Sequence, residues 1–446
     1  MKDTQIEKLI KAEKERQKKV INLIASENVV SKDVLEALGS ELTNKYAEGY
    51  PGKRYYGGNE VVDKIESLAQ ERALKLFGLS KEKWAVNVQP LSGSPANLAV
   101  YTALVPKGGK IMGMSLSHGG HLTHGHKVSA TGKFWEQVAY GVNEKTENID
   151  YDELKKISKK EKPNIIVCGF TAYPSIVDFK KFRDIANSCG AILDSQRIAE
   201  SGKGVGEKEL SPSRRAVSEA SVENREVLKE ELLPRKTILM VDMSHFAGLV
   251  AGKQYPSPFE YADVVTTTVH KTLRGPRSAL IFSRIDKKIK DKNGKEQTFP
   301  ELIDKAVFPG LQGGPHINQI AAVAVALKEA STPEFKKYAL QVKKNAKALA
   351  SELKQLGWHI VSGGTESHLV LVDVWMGGKG ISGTDASDRL EKVGIIVNKN
   401  TIPGETRSAF DPSGIRLGSA AETTRGKNEK DFIAIACKID KVLRKK

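Results

Sequence analysis

The chain has 446 residues, more than one compact core usually holds, with 39% hydrophobic and 28% charged residues. No apolar run is long enough to cross a bilayer, and the three scattered cysteines, Cys168, Cys189 and Cys437, argue against a disulfide framework and a cysteine-built zinc site. The net charge of +16 comes from lysines spread along the chain, without the basic stripe and stacking aromatics of a nucleic-acid groove, so neither a membrane nor a nucleic acid is an expected partner.

The opening stretch "MKDTQIEKLIKAEKERQKKVINLIA" reads as a charged helical arm within residues 1–30 and lacks the features of a signal peptide. "NKYAEGYPGKRYYGG" (44–58) follows as a turn-rich loop. Residues 60–78 have helical apolar spacing and end on a glycine. "WAVNVQP" predicts a strand, "SPANLAVYTALV" a helix with Pro95 in its first turn, and "KIMGM" and "PNIIVCGF" two more strands. "DFKKFRDIANSCG" predicts a helix, and "KTILMVDMSHF" and "ADVVTTTVHKT" predict buried strands. Short apolar strands separated by helices imply an α/β fold with a mainly parallel sheet covered on both faces, here spanning about residues 31–315. Residues 316–446 read as a linking helix and a smaller α/β domain holding "HLVLVDV", "VGIIVNKN", "GIRLG" and a last helix. One polar segment, about 194–236, breaks the rhythm. It predicts a surface excursion with one helix over 211–233 and a loop-out at the amino edge of the sheet.

The sharpest chemical signal is "TTTVHKTLRGPR" (266–277). Lys271 follows a β-branched strand and stands beside His270, Arg274 and Arg277; cationic neighbours and desolvation lower a lysine's pKa and make it nucleophilic toward carbonyls. "VDMSH" ends a buried strand with Asp242 and His245, where parallel sheets bind ligands. "SGSPAN" places Ser92, Gly93 and Ser94 before a helix, which suits a phosphate; "FPGLQGGP" (308–315) is a second glycine-rich loop. Arg416 in "SGIRLG" suits bidentate grip of a carboxylate. "SHGGHLTHGH" (117–126) holds His118, His121, His124 and His126. Imidazole density invites a metal reading, but nearby carboxylate or thiolate ligands are lacking, so no metal is expected.

Together with "NLIASEN" and "VDMSHFAGLVAG", these segments resemble, in order, the serine hydroxymethyltransferase family of fold type I pyridoxal-phosphate enzymes. The resemblance implies a seven-stranded-type sheet, a homodimer or tetramer, cytoplasmic location, and transfer of serine's hydroxymethyl carbon to tetrahydrofolate, giving glycine and methylenetetrahydrofolate. The alternatives are a threonine-aldolase-type enzyme of the same cofactor class and an impaired paralogue with a binding role. Lys271 corresponds to the Schiff-base lysine, Asp242 to the partner of the pyridine nitrogen, His245 to a neighbour of the phenolic oxygen, and His121 to the ring stacked on the cofactor. Ser92, Gly93, Ser94, Thr171, Thr268 and His270 fall at cofactor positions, with Tyr46 and Gly314 supplied by a partner subunit. Ser26 and Arg416 correspond to substrate-binding residues, as do Glu48 and Tyr56 of the partner, with Glu48 as proton-transfer group. Leu116, Gly120, His121, Leu122, Asn400, Ser408, Ala409 and Phe410 match folate positions, and His126 matches none. Val269, Ser278, Ala279 and Leu311 depart from the family pattern, and the last two are expected to crowd cofactor or folate. Asp194, in "ILDSQRIA", is a rival for Asp242; the family pattern continues through "VDMSHFAGLV", which favours Asp242.

Overall fold

The computed structural model describes residues 2–189, 237–290 and 294–445. Its large unit is built on seven strands: β1 (Trp84–Asn87), β2 (Lys110–Met114), β3 (Glu136–Tyr140), β4 (Ile165–Gly169), β5 (Ile238–Asp242), β6 (Val264–Thr268) and β7 (Ala279–Arg284). They lie in the order β1-β7-β6-β5-β4-β2-β3, with β7 antiparallel to both neighbours and all other pairs parallel. The three central strands β4, β5 and β6 are buried along their whole length, which explains their unbroken apolar or β-branched sequences. Helix α1 (Thr4–Lys19) lies outside and buries no residue, whereas α2 (Glu60–Phe77), α3 (Gly93–Leu104) and α4 (Phe179–Ser188) are among the helices that cover the sheet. Gly78 ends α2 in the left-handed conformation, at φ 69°.

The excursion leaves and re-enters at one place. The Thr237 hydroxyl donates to the carbonyls of Pro163 at 2.9 Å and Cys189 at 3.3 Å, at the amino ends of β4 and β5. β5 therefore keeps its register between β4 and β6. Asp194 and the helix expected over 211–233 lie outside the described residues.

The second unit is an antiparallel sheet of β8 (His359–Ile360), β9 (Leu369–Asp373), β10 (Asn398–Asn400) and β11 (Gly414–Gly418), in the order β8-β9-β11-β10. Two long helices reach it, α5 (Ile317–Ala330) and α6 (Pro333–Gln355). Ile317, Ile320, Val323 and Leu327 of α5 pack in the large core, as do Phe335 and Val342 of α6, whereas Leu349 and Leu353 of α6 pack in the small one. The packing changes from the large core to the small one within α6. The amino-terminal segment also joins the small unit: Ile21–Asn22 pair in parallel with Ile395–Ile396, and Leu23 is in the small core.

Candidate active site

The carboxyl ends of β5 and β6, the turn into α3 and the inner strand β11 of the small sheet border a cavity of about 310 Å³. Its walls include Ser26, Ser92, Gly93, Ser94, His121 and Thr171, with Asp242, His245, Thr268, His270, Lys271 and Arg416 completing them. With Arg277, the structure thus brings thirteen residues singled out from sequence into one space, from segments as far apart as Ser26 and Arg416. A parallel sheet splays its loops at this end, so short segments distant in sequence converge there.

Asp242 is buried and fully engaged. Its Oδ2 accepts from Asn97 Nδ2 at 2.9 Å and lies 3.1 Å from His124 Nε2; its Oδ1 accepts from Ser244 N at 3.1 Å and Ser244 Oγ at 2.6 Å. Burial alone would raise this carboxyl, but the His124 and Ser244 hydrogen bonds and the charge of nearby imidazoles hold it well below the usual carboxylate range. Asn97 is fixed in turn, donating to Thr123 Oγ1 at 2.9 Å and accepting from Thr266 Oγ1 at 2.8 Å. Thr123 Oγ1 lies 2.7 Å from His121 Nδ1. One hydrogen-bonded chain therefore joins the acid of β5 to the ring of His121.

Burial pushes the Lys271 amine down to about 8; Asp242 opposes the shift, and Arg416 and Arg277 add to it. Burial also lowers His270 to about 3, His121 to about 4 and the Arg416 guanidinium to about 10. Arg274 does not belong to this cluster, contrary to expectation. It adopts φ 58° and turns its guanidinium over the rings of Tyr338, at 4.4 Å, and Phe335, at 5.3 Å. It thereby stabilises the turn after Lys271, whose carbonyl accepts from Asn28 Nδ2 at 2.9 Å. Arg416 takes the electrostatic place expected of Arg274. Its Nη1 donates to the Thr171 carbonyl at 2.7 Å and its Nε to Asn398 Oδ1 at 2.9 Å.

A second groove, about 430 Å³, meets the first at Thr171 and is lined by Leu116, Gly120, Asn400 and Ala409, with His126 and Lys399. Leu122, Ser408 and Phe410 do not line it; they are exposed beside it. Tyr46, Glu48, Tyr56 and Gly314 do not reach the Lys271 cavity of their own chain. They form a cluster of their own. The Tyr46 ring stands edge-on to Tyr56 with centroids 5.4 Å apart, and a Cβ on Gly314 would come within 3.2 Å of the Tyr46 ring. Tyr46 and Tyr56 are half exposed.

Within one chain the departures from the family pattern line neither space. Ala279 is buried in β7, where its N–H donates to the Pro90 carbonyl at 3.1 Å, and Leu311 faces outward. Ser278 Oγ donates to that same carbonyl at 3.2 Å, and buried Val269 packs on Gly275. The histidine cluster disperses: His118 Nδ1 accepts from Val142 N, His121 lines the cavity, His124 faces Asp242, and His126 lines the groove. Among the described residues no group of three or more histidines, cysteines or acids could hold a metal ion.

Sequence reading missed Asn97, Thr123, Ser244 and His368, and saw His124 only as part of a motif. Asn97 stands one helical turn into α3 from the phosphate-type turn, a spacing that would have placed it over the strand ends. His368 precedes β9 directly, and its only signal was a histidine at the start of an apolar run.

Comparison with known proteins accords with this geometry. The family model described as serine hydroxymethyltransferase matches residues 1–218 and 219–439, joining inside the excursion. A serine hydroxymethyltransferase of Desulfotalea psychrophila is 47% identical over 441 residues, covering 99% of this chain and 88% of that protein. The cytosolic serine hydroxymethyltransferase of Saccharomyces cerevisiae is 47% identical over 449 residues, 99% of this chain and 85% of its own length. A mitochondrial one of Candida glabrata is 46% identical over 451 residues, 99% and 83%. With Lys271, Asp242 and Arg416 converging on one cavity and near-complete coverage by these relatives, the chain belongs to the serine hydroxymethyltransferase family.

Proposed function

We propose that the Lys271 cavity holds pyridoxal phosphate and serine, that the adjoining groove holds tetrahydrofolate, and that the family's hydroxymethyl transfer takes place where they meet. The observation that carries this reading is the cavity itself. A buried amine and a buried carboxylate face one space together with a helix N-terminus that no side chain caps. Its volume lies at the lower end of small-molecule sites, about 300–1,000 Å³. Gly93 supports the fit. A Cβ there would stand 2.7 Å from Thr268 Cγ2, so the first turn of α3 comes close to the β6 end only because the residue is glycine. The Nδ1 of His270 is buried without a partner, a polar atom that a bound ligand would satisfy.

When bound, the cofactor supplies an electron sink for the charge left on the substrate carbon. The protein's part follows from its own groups. Ser92 and Ser94, with the free N–H groups of α3, hold a phosphate. Asp242 remains ionised because four contacts stabilise its charge, and it would keep a proton on the cofactor's ring nitrogen. Lys271, with its lowered basicity, is the amine that holds the cofactor and takes and returns a proton. Arg416 grips the substrate carboxylate, and Ser26 lies beside it. His121 would cover a face of the cofactor, with Thr171, Thr268, His245 and His270 as the other walls. Glu48 and Tyr56 come from a second copy and move a proton at the substrate hydroxyl, while Tyr46 and Gly314 of that copy complete the phosphate contacts. Leu116, Gly120, Asn400 and Ala409 bind the folate, with Leu122, Ser408 and Phe410 at the rim. Cytoplasmic location is proposed from the likeness to a cytosolic relative; separately, no helix of the described residues is long and apolar enough to cross a membrane.

The test is the dependence of serine cleavage on tetrahydrofolate. Conversion of serine to glycine by the purified protein should rise at least ~100-fold on adding tetrahydrofolate. A rate indifferent to folate would favour the aldolase reading, and no turnover with bound pyridoxal phosphate would favour an impaired paralogue.

A further inference from the structure

His368 is buried, belongs to the small unit, and does not line the Lys271 cavity. It lies directly behind His245, which does. The two rings are stacked with centroids 5.4 Å apart and planes at 28°, and His368 Nε2 is 3.3 Å from His245 Nδ1. Both rings are anchored through their backbones. The His368 carbonyl accepts from Ser419 N at 2.9 Å and Ser419 Oγ at 3.2 Å, and the His245 carbonyl accepts from Thr272 Oγ1 at 2.9 Å. Thr272 follows Lys271, and Leu371 of β9 pairs with Arg416 of β11. Two neighbouring strands of the small sheet therefore deliver two side chains to the site: Arg416 into the cavity, and His368 onto the outer edge of His245.

We propose that His368 is a positioning residue for this site, acting through His245: its pairing with Nδ1 locks the His245 ring in one orientation and one tautomer, leaving Nε2 as the edge His245 offers to a ligand. The argument is proton counting. Both rings are buried, and burial together with the charges of Lys271 and Arg416 disfavours their protonation, so each carries one proton. Two N–H groups, or two lone pairs, at 3.3 Å repel each other. One facing nitrogen must therefore be protonated and the other bare, so the tautomer that His368 holds sets the protonation of the far nitrogen of His245. His368 contributes no atom to the cavity, yet it decides whether His245 donates or accepts there. Because His368 belongs to the small unit, this setting holds only while that unit keeps its place against β5.

The proposal rests on reading the cavity as the cofactor site, and one of its tests needs no cofactor. In the full-length protein with histidine labelled by nitrogen-15, the His245 ring should show one neutral tautomer; averaged tautomers or a protonated ring would overturn the proposal. In the holoenzyme, His368→Phe keeps a stacked ring and removes the nitrogen. It should shift the visible spectrum of bound pyridoxal phosphate and weaken its binding about 10-fold. His368→Gln, which restores a polar edge, should recover most of both. A His368→Phe spectrum and affinity equal to wild type, or a His368→Gln protein no better than His368→Phe, would reduce His368 to a packing residue. Wild-type protein that takes up no pyridoxal phosphate refutes the functional reading instead, and leaves the tautomer measurement intact.

Discussion

Lys271 shows how far one residue's chemistry can be read before its surroundings are known. A lysine after "TTTVH" and between basic residues announced a depressed pKa through desolvation and cationic neighbours, and the structure gives one with one of those neighbours exchanged. Burial does most of it, and the guanidinium charges that add to it are those of Arg416, 145 positions away in sequence, and of Arg277 nearby, not that of Arg274. Sequence neighbours share a chain but not a direction, and Arg274 at φ 58° points the other way. The shift has two measurable signs. Below about 8 the amine is charged and inert toward an aldehyde, so uptake of pyridoxal phosphate by the apoprotein should accelerate with pH and level off above that value. In the unfolded chain the amine titrates near ~10.4, so below about 8 the folded state bears the cost of a charge in a poor place. Stability of the apoprotein should therefore rise with pH between these values, by about 3 kcal/mol at most, and Lys271→Met should remove that slope in denaturant titrations. A slope unchanged by the substitution would disprove the burial argument.

At the scale of elements, what was legible followed burial. The central strands announce themselves as short apolar runs because both sheet faces are covered, and Gly78 and Pro95 mark helix ends through backbone geometry alone. β3 and β7 were not singled out. β3 is an edge strand with a mixed burial pattern, so "EQVAY" lacks a continuous apolar signal. β7 follows the turn after Lys271 without an intervening helix and runs antiparallel, outside the alternating rhythm. The turn into α3 yields the sharpest element-level prediction. Thr268 cannot swing aside for a new methyl at position 93, since its N–H donates to Ser244 Oγ at 3.0 Å and its Oγ1 to the Ser244 carbonyl at 3.4 Å. Gly93→Ala should destabilise the fold by about 1–3 kcal/mol and weaken pyridoxal-phosphate binding more than serine binding. Equal affinity for cofactor in wild type and variant would show that this turn does not hold the phosphate.

For the whole molecule, the proposed catalytic set divides into a part enclosed by one chain and a part turned outward. Lys271, Asp242 and Arg416 share a cavity, whereas Glu48, Tyr46 and Tyr56 lie with Gly314 on a partly exposed face. A second copy that brings this face to the cavity would unite them, and a mixing experiment reads that directly. Lys271→Ala and Glu48→Gln proteins should each be inactive alone. Exchanged at equal amounts, they should recover about a quarter of wild-type activity, because half the dimers carry one intact site of two. No recovery after verified subunit exchange would contradict a shared site. Nothing in composition or periodicity separates the inward from the outward set; both are polar, glycine-flanked loops, and only the resemblance to a family divided them. The excursion after Cys189 was legible as an interruption, and the contact of Thr237 with Cys189 shows why the sheet tolerates it.

The claim on which the rest depends is that Lys271 is the residue that holds pyridoxal phosphate. The purified protein should be incubated with the cofactor, reduced with borohydride, digested and mapped by mass spectrometry. A stoichiometric phosphopyridoxyl mass on the peptide carrying Lys271, absent from Lys271→Ala, is the expected result. Label spread over surface lysines, or a stoichiometric label retained in Lys271→Ala, would contradict the account.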